Sequence, residues 1–561
     1  MNHKPWLKNY PHNVPENIDP NIYTSLVELI EVAVKKFDHQ VAFENMGASL
    51  TYKQVDTLSN DFAAYLQGPL GLKKGDRIAI QMPNLLQYPI VMFGALKAGL
   101  IVVNTNPLYT TREMAHQFND AGVKAIVIVA NFAANLEAII KETAIQHVIV
   151  TQLGDMLGTL KGSLVNLVVK HLKKMVPDYT LSGHIKFKEA LKEGKALQLQ
   201  KVDVQPEDIG FLQYTGGTTG ISKGAKLTHR NIIANMEQNG AWMMSGLEEG
   251  KEVVITALPL YHIFAMTVNC WLFFKTGGKN ILITNPRDLP AFIKELKKHQ
   301  FSVFTGVNTL FNALLMQEDF LKLNFDNFKV GIGGGMAVQD HVAEKWKQVT
   351  GKPLAEGYGL TEASPVVACN PIDGTEKIGT IGMPLPSTEI RIVADDGTDQ
   401  DFAEHGEVYV RGPQVMAGYW QRNDETELVM DGQWLKTGDI GYMTLEGYIK
   451  LVDRKKEMIN VSGFNVYPNE VESVVCSHPK VAEAGVIGIP DPKSNECVKA
   501  FIIKADQSLT KEEILQYCRA EMTAYKRPRE IEFLEELPKS NVGKILRRKL
   551  KEYELSKNVT A

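Results

Sequence analysis

Cysteine is scarce in this chain, and the few present do not pair. The 561 residues hold five cysteines, Cys270, Cys369, Cys476, Cys497 and Cys518, an odd and scattered set without a CxxC spacing. That argues against a disulfide framework or a structural zinc site and for a reducing compartment. A long apolar run is also missing. The longest, Tyr88 to Val103, is interrupted by Lys97 and is too short to span a bilayer. The opening stretch, Met1 to Pro20, has charges and prolines but no apolar core segment, so no secretory signal is expected. Excess charge is absent as well: 61 Lys and Arg against 65 Asp and Glu leave a formal net charge of −4, with no global attraction to nucleic acid. The expected location is the cytoplasm.

What is present is an ordinary globular composition, 44% hydrophobic and 22% charged, in a chain too long for one core. Short β-rich runs, Arg77–Met82, Leu100–Val103, Ala125–Val129 and His147–Gln152, alternate with helix-compatible stretches such as Leu85–Gly99 and Thr111–Asp120. The pattern resumes with strand candidates Val253–Ala257, Asn280–Thr284 and Phe301–Thr305. Such alternation predicts an α/β fold with parallel or mixed sheets. From about Gly379 the texture turns to short strands, Glu389–Val393 and Glu407–Arg411, which predict a small β-subdomain closing a large N-terminal domain, residues 1–452. After Leu451 to Lys456 a smaller α+β C-terminal domain, residues 453–561, is expected, with strands near Ala484–Ile489 and Val498–Ile503. Thr510 with Glu513 predicts a capping box on a helix from about Lys511.

The most informative stretch is Tyr214 to Asn231. Within ten residues it carries four glycines (Gly216, Gly217, Gly220, Gly224), three threonines (Thr215, Thr218, Thr219) and Lys223. Glycines let the backbone approach a ligand and turn its N–H groups inward as an anion nest, while the hydroxyls and the ammonium add donors and charge. The loop reads as a phosphate cradle. It is not a Walker P-loop, because Lys223 follows Ser222 and precedes Gly224 instead of standing before Ser or Thr.

This loop and its flanks resemble the phosphate-binding signature of the adenylate-forming (ANL) superfamily, and further motifs follow in that family's order. Glu356-Gly357-Tyr358-Gly359-Leu360-Thr361-Glu362 is similar to the element in which Tyr stacks on adenine, Thr donates to the α-phosphate and Glu holds magnesium. An aromatic face suits a purine and a carboxylate suits a hard cation. Trp434 to Asp439 resembles the Trp-x-x-Thr-Gly-Asp element, which implies Asp439 as ribose ligand with Arg454 beside it. The run from Asp431 to Lys456 resembles the signature of fatty acyl-CoA synthetases, departing from it at Gln433. Pro538 to Arg548 looks like the C-terminal catalytic motif, with Lys544 as the catalytic lysine; Lys223, Thr215 and Glu362 complete the expected catalytic set. Ala257 to His262 and Gly333-Gly334-Gly335-Met336 are similar to segments lining the acyl and pantetheine path, although a lone histidine such as His262 also fits a structural role.

The resemblance implies two half-reactions: a fatty carboxylate and ATP form acyl-AMP and pyrophosphate with Mg2+, and coenzyme A then takes the acyl group. No general base is needed for the first, because the carboxylate is already ionised. It further implies that the C-terminal domain is mobile. It would swing about a hinge at Lys456, withdrawing Lys544 and presenting Ser462, Gly463 and Phe464. The likeness is nearest to bacterial long-chain fatty acid–CoA ligases of fatty-acid degradation and runs from Pro11 to Lys549. A ligase that stops at acyl-AMP for a carrier protein, an aryl- or amino-acid-activating enzyme and a non-catalytic nucleotide binder are the rival readings. The uninterrupted run from Trp434 to Lys456 favours coenzyme A over a carrier, and the presence of both Lys544 and Glu362 argues against a mere binder. Leu164 to Val176 is basic and partly amphipathic, so it fits either a helix resting on the inner face of an anionic membrane or a solvated helix. A homodimer rests on analogy alone.

Overall fold

The computed structural model describes residues 4–215, 222–462, 464–540 and 543–560, so the expectations on Gly216, Gly217, Thr218, Thr219, Gly220 and Gly463 lie outside the described residues. Two α/β sheets form the larger part. In the first, Ile185–Lys186, His147–Thr151, Ala125–Val129, Arg77–Gln81, Ile101–Asn104 and Ile209–Thr215 lie side by side and parallel, and Lys223–Thr228 closes the edge antiparallel. The second has nine strands. Its parallel centre is Leu354–Gly359, Val330–Gly333, Val303–Gly306, Val253–Thr256, Lys279–Leu282 and Val41–Asn45.

The run from Tyr88 that is too short for a membrane becomes the helix Gln87–Lys97, all eleven residues of which are buried. A helix apolar on every side belongs inside a large core, and no helix among the described residues is long and apolar enough to cross a bilayer. Its contact with the helix Tyr52–Gln67 is close: a Cβ on Gly94 would stand 2.9 Å from both the Phe62 ring and the Ser59 carbonyl. Lys97 ends this helix inside the protein. Its ammonium meets Asp56 at 2.6 Å and donates to Ser59 Oγ and Asn60 Oδ1, both at 2.8 Å.

The texture change near Gly379 corresponds to a third sheet of five strands, in the order Glu389–Val393, Gly406–Arg411, Trp434–Met443 and Met430–Asp431, with Ile449–Arg454 paired to Trp434–Met443. A fourth sheet begins at Ile459–Val461 and holds Phe464–Val466, Asn495–Lys504, Val481–Asp491 and Glu530–Phe533. Helices Pro468–Cys476, Lys511–Glu521 and Arg547–Thr560 belong to the same unit. The large N-terminal part and the smaller C-terminal part expected from the sequence are both present.

Two local expectations change. Thr510 Oγ1 accepts from Glu513 N at 3.2 Å, but the Glu513 carboxylate goes to Lys480 at 3.0 Å and faces His478, so the cap is one-sided. The basic helix starts earlier and ends earlier than Leu164 to Val176. It runs Thr159–Leu167, loosens to a π-turn over Val168–Leu172 and stops, with Lys174 in the left-handed region at φ 51°. Crowded like charges at Lys170, Lys173 and Lys174 and the β-branched Val165, Val168 and Val169 disfavour further turns.

The environment of Lys97 generates a prediction of unequal losses for its two partners. Asp56→Ala leaves a buried ammonium without its carboxylate and costs about 3 kcal/mol, whereas Lys97→Met stays near wild type because the partly exposed Asp56 can be hydrated. Thermal or urea unfolding of the two variants checks this; equal losses contradict it.

Candidate nucleotide site

The strand Ile209–Thr215 ends at Thr215, paired with Lys223 at the start of the returning strand. Both stems are pinned. Tyr214 donates its hydroxyl to Asp120 at 2.7 Å, and Arg422 meets the other Asp120 oxygen at 2.9 Å. Trp420 N donates to Gly224 O at 2.8 Å, and a His116 ring nitrogen lies 2.9 Å from Ser222 O. Lys223 is not free in this state. Its ammonium pairs with Glu425 at 2.5 Å and lies 5.0 Å from the centre of the Tyr419 ring.

From the second sheet, Leu354–Gly359 brings in the Glu356 to Glu362 motif. Gly357 and Gly359 lie within the strand, and a Cβ on Gly359 would strike Pro365 O at 2.2 Å, so only glycine fits. Burial pushes the Glu356 carboxyl up to about 8, while its Oε1 accepts from Val338 N. Tyr358 donates to Asp439 Oδ2 at 2.5 Å. The short turn Thr361–Ala363 carries Thr361 and Glu362, and Glu362 Oε1 accepts from Tyr419 at 2.7 Å. Among the described residues no lysine, arginine or histidine forms an ion pair with Glu362. An acceptor-only carboxylate without a paired cation suits a hard divalent ion such as Mg2+. The Glu44, Glu295 and His299 cluster is different: Lys279 and Lys298 already meet its carboxylates.

The third sheet supplies the acid opposite Tyr358. Asp439 and Arg454 face each other in register on neighbouring strands, and Arg454 Nε donates to Asp439 Oδ1 at 3.1 Å. Lys544 comes from the C-terminal unit, on a loop closed by Ser540 N donating to Lys544 O at 2.7 Å and Leu546 N to Pro538 O at 2.8 Å. Gly543, at φ 82°, lets the loop dock: a Cβ there would stand 2.5 Å from Thr309 Oγ1 of the helix Asn308–Leu315. Burial, then the nearby Arg454, draws the Lys544 ammonium down to about 8. Lys456 is lowered by the same two causes and also feels Lys223. Neither lysine has an ion-pair partner among the described residues, although the Glu457 and Asp439 carboxylates oppose part of the lowering.

Gly333 ends the strand Val330–Gly333, and Gly334 and Gly335 follow it. Gly334 admits the Phe264 ring, since a Cβ would stand 2.9 Å from it, and Gly335 sits at φ 77°. Burial pulls the His262 imidazole down to about 4, which keeps it neutral at pH 7 and a weak base; its Nδ1 accepts from Phe264 N. Ser462 and Phe464 are not gathered with this group. Ser462 turns at φ 54°, and the exposed Phe464 ring stacks on Tyr525 of its own unit at 4.8 Å. The sequence reading missed Tyr419, Glu425, Asp120 and Arg422. Only the Gly418-Tyr419-Trp420 turn, aromatic residues directly after a glycine, hints at them.

The chain matches known proteins along most of its length. The family model described as AMP-binding enzyme matches residues 30–420, and that of the AMP-binding enzyme C-terminal domain matches residues 470–544. A long-chain-fatty-acid–CoA ligase of Escherichia coli O157:H7 is 55% identical over 549 residues, covering 98% of each chain. A protein of the same name from Bacillus subtilis (strain 168) is 39% identical over 555 residues, again covering 98% of each. Among solved structures, an anthranilate CoA ligase in complex with anthranoyl-AMP superposes with a TM-score of 0.86 at 25% identity, covering 96% of this chain and 100% of that one. The o-succinylbenzoate CoA synthetase of Bacillus subtilis, in complex with its acyl-adenylate intermediate, gives 0.78 at 26% identity, covering 93% and 97%. The chain therefore belongs to the AMP-binding enzyme family, the adenylate-forming ANL superfamily.

Proposed function

We propose that this protein is an AMP-forming long-chain fatty acid–CoA ligase serving fatty-acid degradation, and that the convergence of Lys544, Arg454 and Lys456 beside Asp439 is its nucleotide site. The observation that carries this reading is the hydrogen-bonded set of Tyr358, Asp439 and Arg454 together with the docking of the Lys544 loop, through Gly543, against Thr309. A group of cations in which the two lysines have no ion-pair partner among the described residues is poised for a polyanion. In the first half-reaction a fatty carboxylate oxygen attacks the α-phosphorus of ATP, the bond to the bridging oxygen breaks, and pyrophosphate leaves. Lys544, Lys223 and the loop donors from Thr215 to Gly220 take up the developing charge. Tyr358 offers adenine its ring face, Asp439 accepts from the ribose hydroxyls and Thr361 donates to the α-phosphate. Glu362 would hold Mg2+, which would supply further charge neutralisation to the triphosphate.

In the second half-reaction the coenzyme A sulfur attacks the acyl carbon and AMP departs. The C-terminal unit beyond Lys456 turns about that residue, so that Lys544 leaves and the segment of Ser462, Gly463 and Phe464 takes its place. The acyl chain and the pantetheine arm pass by His262 and Gly333 to Gly335.

A second reading concerns where the fatty acid arrives. The segment Thr159–Leu172 leaves Leu160, Leu164, Leu167 and Leu172 exposed, Leu160 to 89%. From Met156 to Pro177 there is no acidic residue, while Lys161, Lys170, Lys173 and Lys174 lie among these leucines. Apolar side chains bordered by ammonium groups fit the surface of an anionic bilayer, where fatty acids partition.

Three outcomes are expected. Lys544→Ala lowers acyl-AMP formation about 10²–10³-fold while sparing thioester formation from supplied acyl-AMP; near-normal adenylation overturns the assignment. In wild type, adenylation falls as the pH rises through about 8, because Lys544 carries its charge only below its pKa, and a pH–rate profile of each half-reaction reads this. Charge reversal at Lys170, Lys173 and Lys174 weakens co-sedimentation with vesicles containing phosphatidylglycerol; unchanged binding discards the membrane reading.

A further inference from the structure

Arg547, three residues beyond Lys544, is 8% exposed in its side chain and lies among three carboxylates. Its guanidinium holds Glu472 through two bonds, Nη2 to Oε2 at 2.7 Å and Nε to Oε1 at 3.0 Å. It also bonds Glu457 and Asn469, and Nη1 stands 3.6 Å from Asp453 Oδ1. Glu457, Asn469 and Glu472 follow Lys456 in the chain. Asp453 precedes it, on the strand Ile449–Arg454 that belongs to the third sheet. The Asp453 side chain is fully buried, and its Oδ2 accepts from Asn469 N at 2.7 Å, the first turn of the helix Pro468–Cys476. Its Oδ1 accepts from the backbone of Arg454 at 2.7 Å, the residue that grips Asp439. One buried carboxylate therefore joins the strand carrying the ribose-site arginine to both the guanidinium behind Lys544 and the first turn of a C-terminal helix.

We propose that Arg547 and Asp453 form a latch across the hinge, in which Arg547 is a positioning residue that holds the C-terminal unit where Lys544 reaches the nucleotide. The proposal rests on the reading of Lys456 as a hinge between two orientations. In the Lys544-in orientation the Asp453 carboxylate is neutralised by Arg547 and by a backbone N–H. Rotation about Lys456 carries both partners away from it, so the latch favours adenylation and is released for thioester formation. An interaction present in one of two orientations shifts their populations by its own free energy.

Removing Arg547 strands three buried carboxylates and can prevent folding, so the decisive variant is Asp453→Asn, which keeps the shape and leaves Arg547 its partners within the C-terminal unit. Both half-reactions are measured on the full chain, with Arg547→Lys alongside. Asp453→Asn is expected to lower kcat for acyl-AMP formation about 5- to 150-fold, the usual span of coupling between two states, with KM for ATP moving less than about twofold and thioester formation from supplied acyl-AMP unchanged or faster. Arg547→Lys shows the same split in smaller measure, since a point charge replaces the fork but keeps its sign. Equal losses in both half-reactions of the folded Asp453→Asn protein, no loss in either, or a loss expressed only in KM for ATP overturns the latch. Lys544→Ala separates the two levels: a split there with none in Asp453→Asn refutes the latch alone, and no split in either refutes the hinge reading beneath it.

Discussion

Asp439 accepts from Tyr358 on one oxygen and from Arg454 on the other, and these bonds hold the end of the second sheet against the third. A carboxylate nearly out of contact with water must have its lone pairs met, so the two sheets are set by its geometry. The rest of the site is referred to that joint. Arg454 lowers the affinity of Lys544 and Lys456 for their protons, and the backbone N–H of Arg454 donates to Asp453 and so reaches the C-terminal unit. Tyr358, Asp439 and the loop of Lys544 come from three separate parts of the chain.

The fold was legible where a local pattern decides it. Ala125–Val129 and Glu389–Val393 are strands with the bounds their β-branched runs suggest, because alternation and flanking turns leave little choice. Gly359 and Gly543 were readable as parts of motifs, and the structure gives both a steric reason. The basic helix was misjudged because charge pattern says where a helix is amphipathic, not where repulsion and β-branching end it. At Thr510 the sequence suggested a reciprocal cap, but tertiary partners at Lys480 and His478 took the glutamate.

What stayed hidden depends on long-range contact. Arg422 and Asp120 are 302 positions apart, and nothing local to either announces that they anchor the stem of the phosphate loop. The same holds for Tyr419 against Glu362 and for Glu425 against Lys223. Each is an ordinary polar or aromatic residue in a turn or a short helix, with no composition signal to set it apart. Their roles exist only once the third sheet has been laid against the first.

The pair between Lys223 and Glu425 has a consequence for discrimination among anions. A small solute such as inorganic phosphate or sulfate that reaches Lys223 must first displace a carboxylate already in place, and a single exchange of that kind gains little, since a partly exposed ion pair is worth about 0–1 kcal/mol. A triphosphate that also touches other cations spreads the same displacement over several contacts. In this structure Glu425 is the counterion of Lys223, so any anion that is to use this ammonium exchanges with a carboxylate already in place.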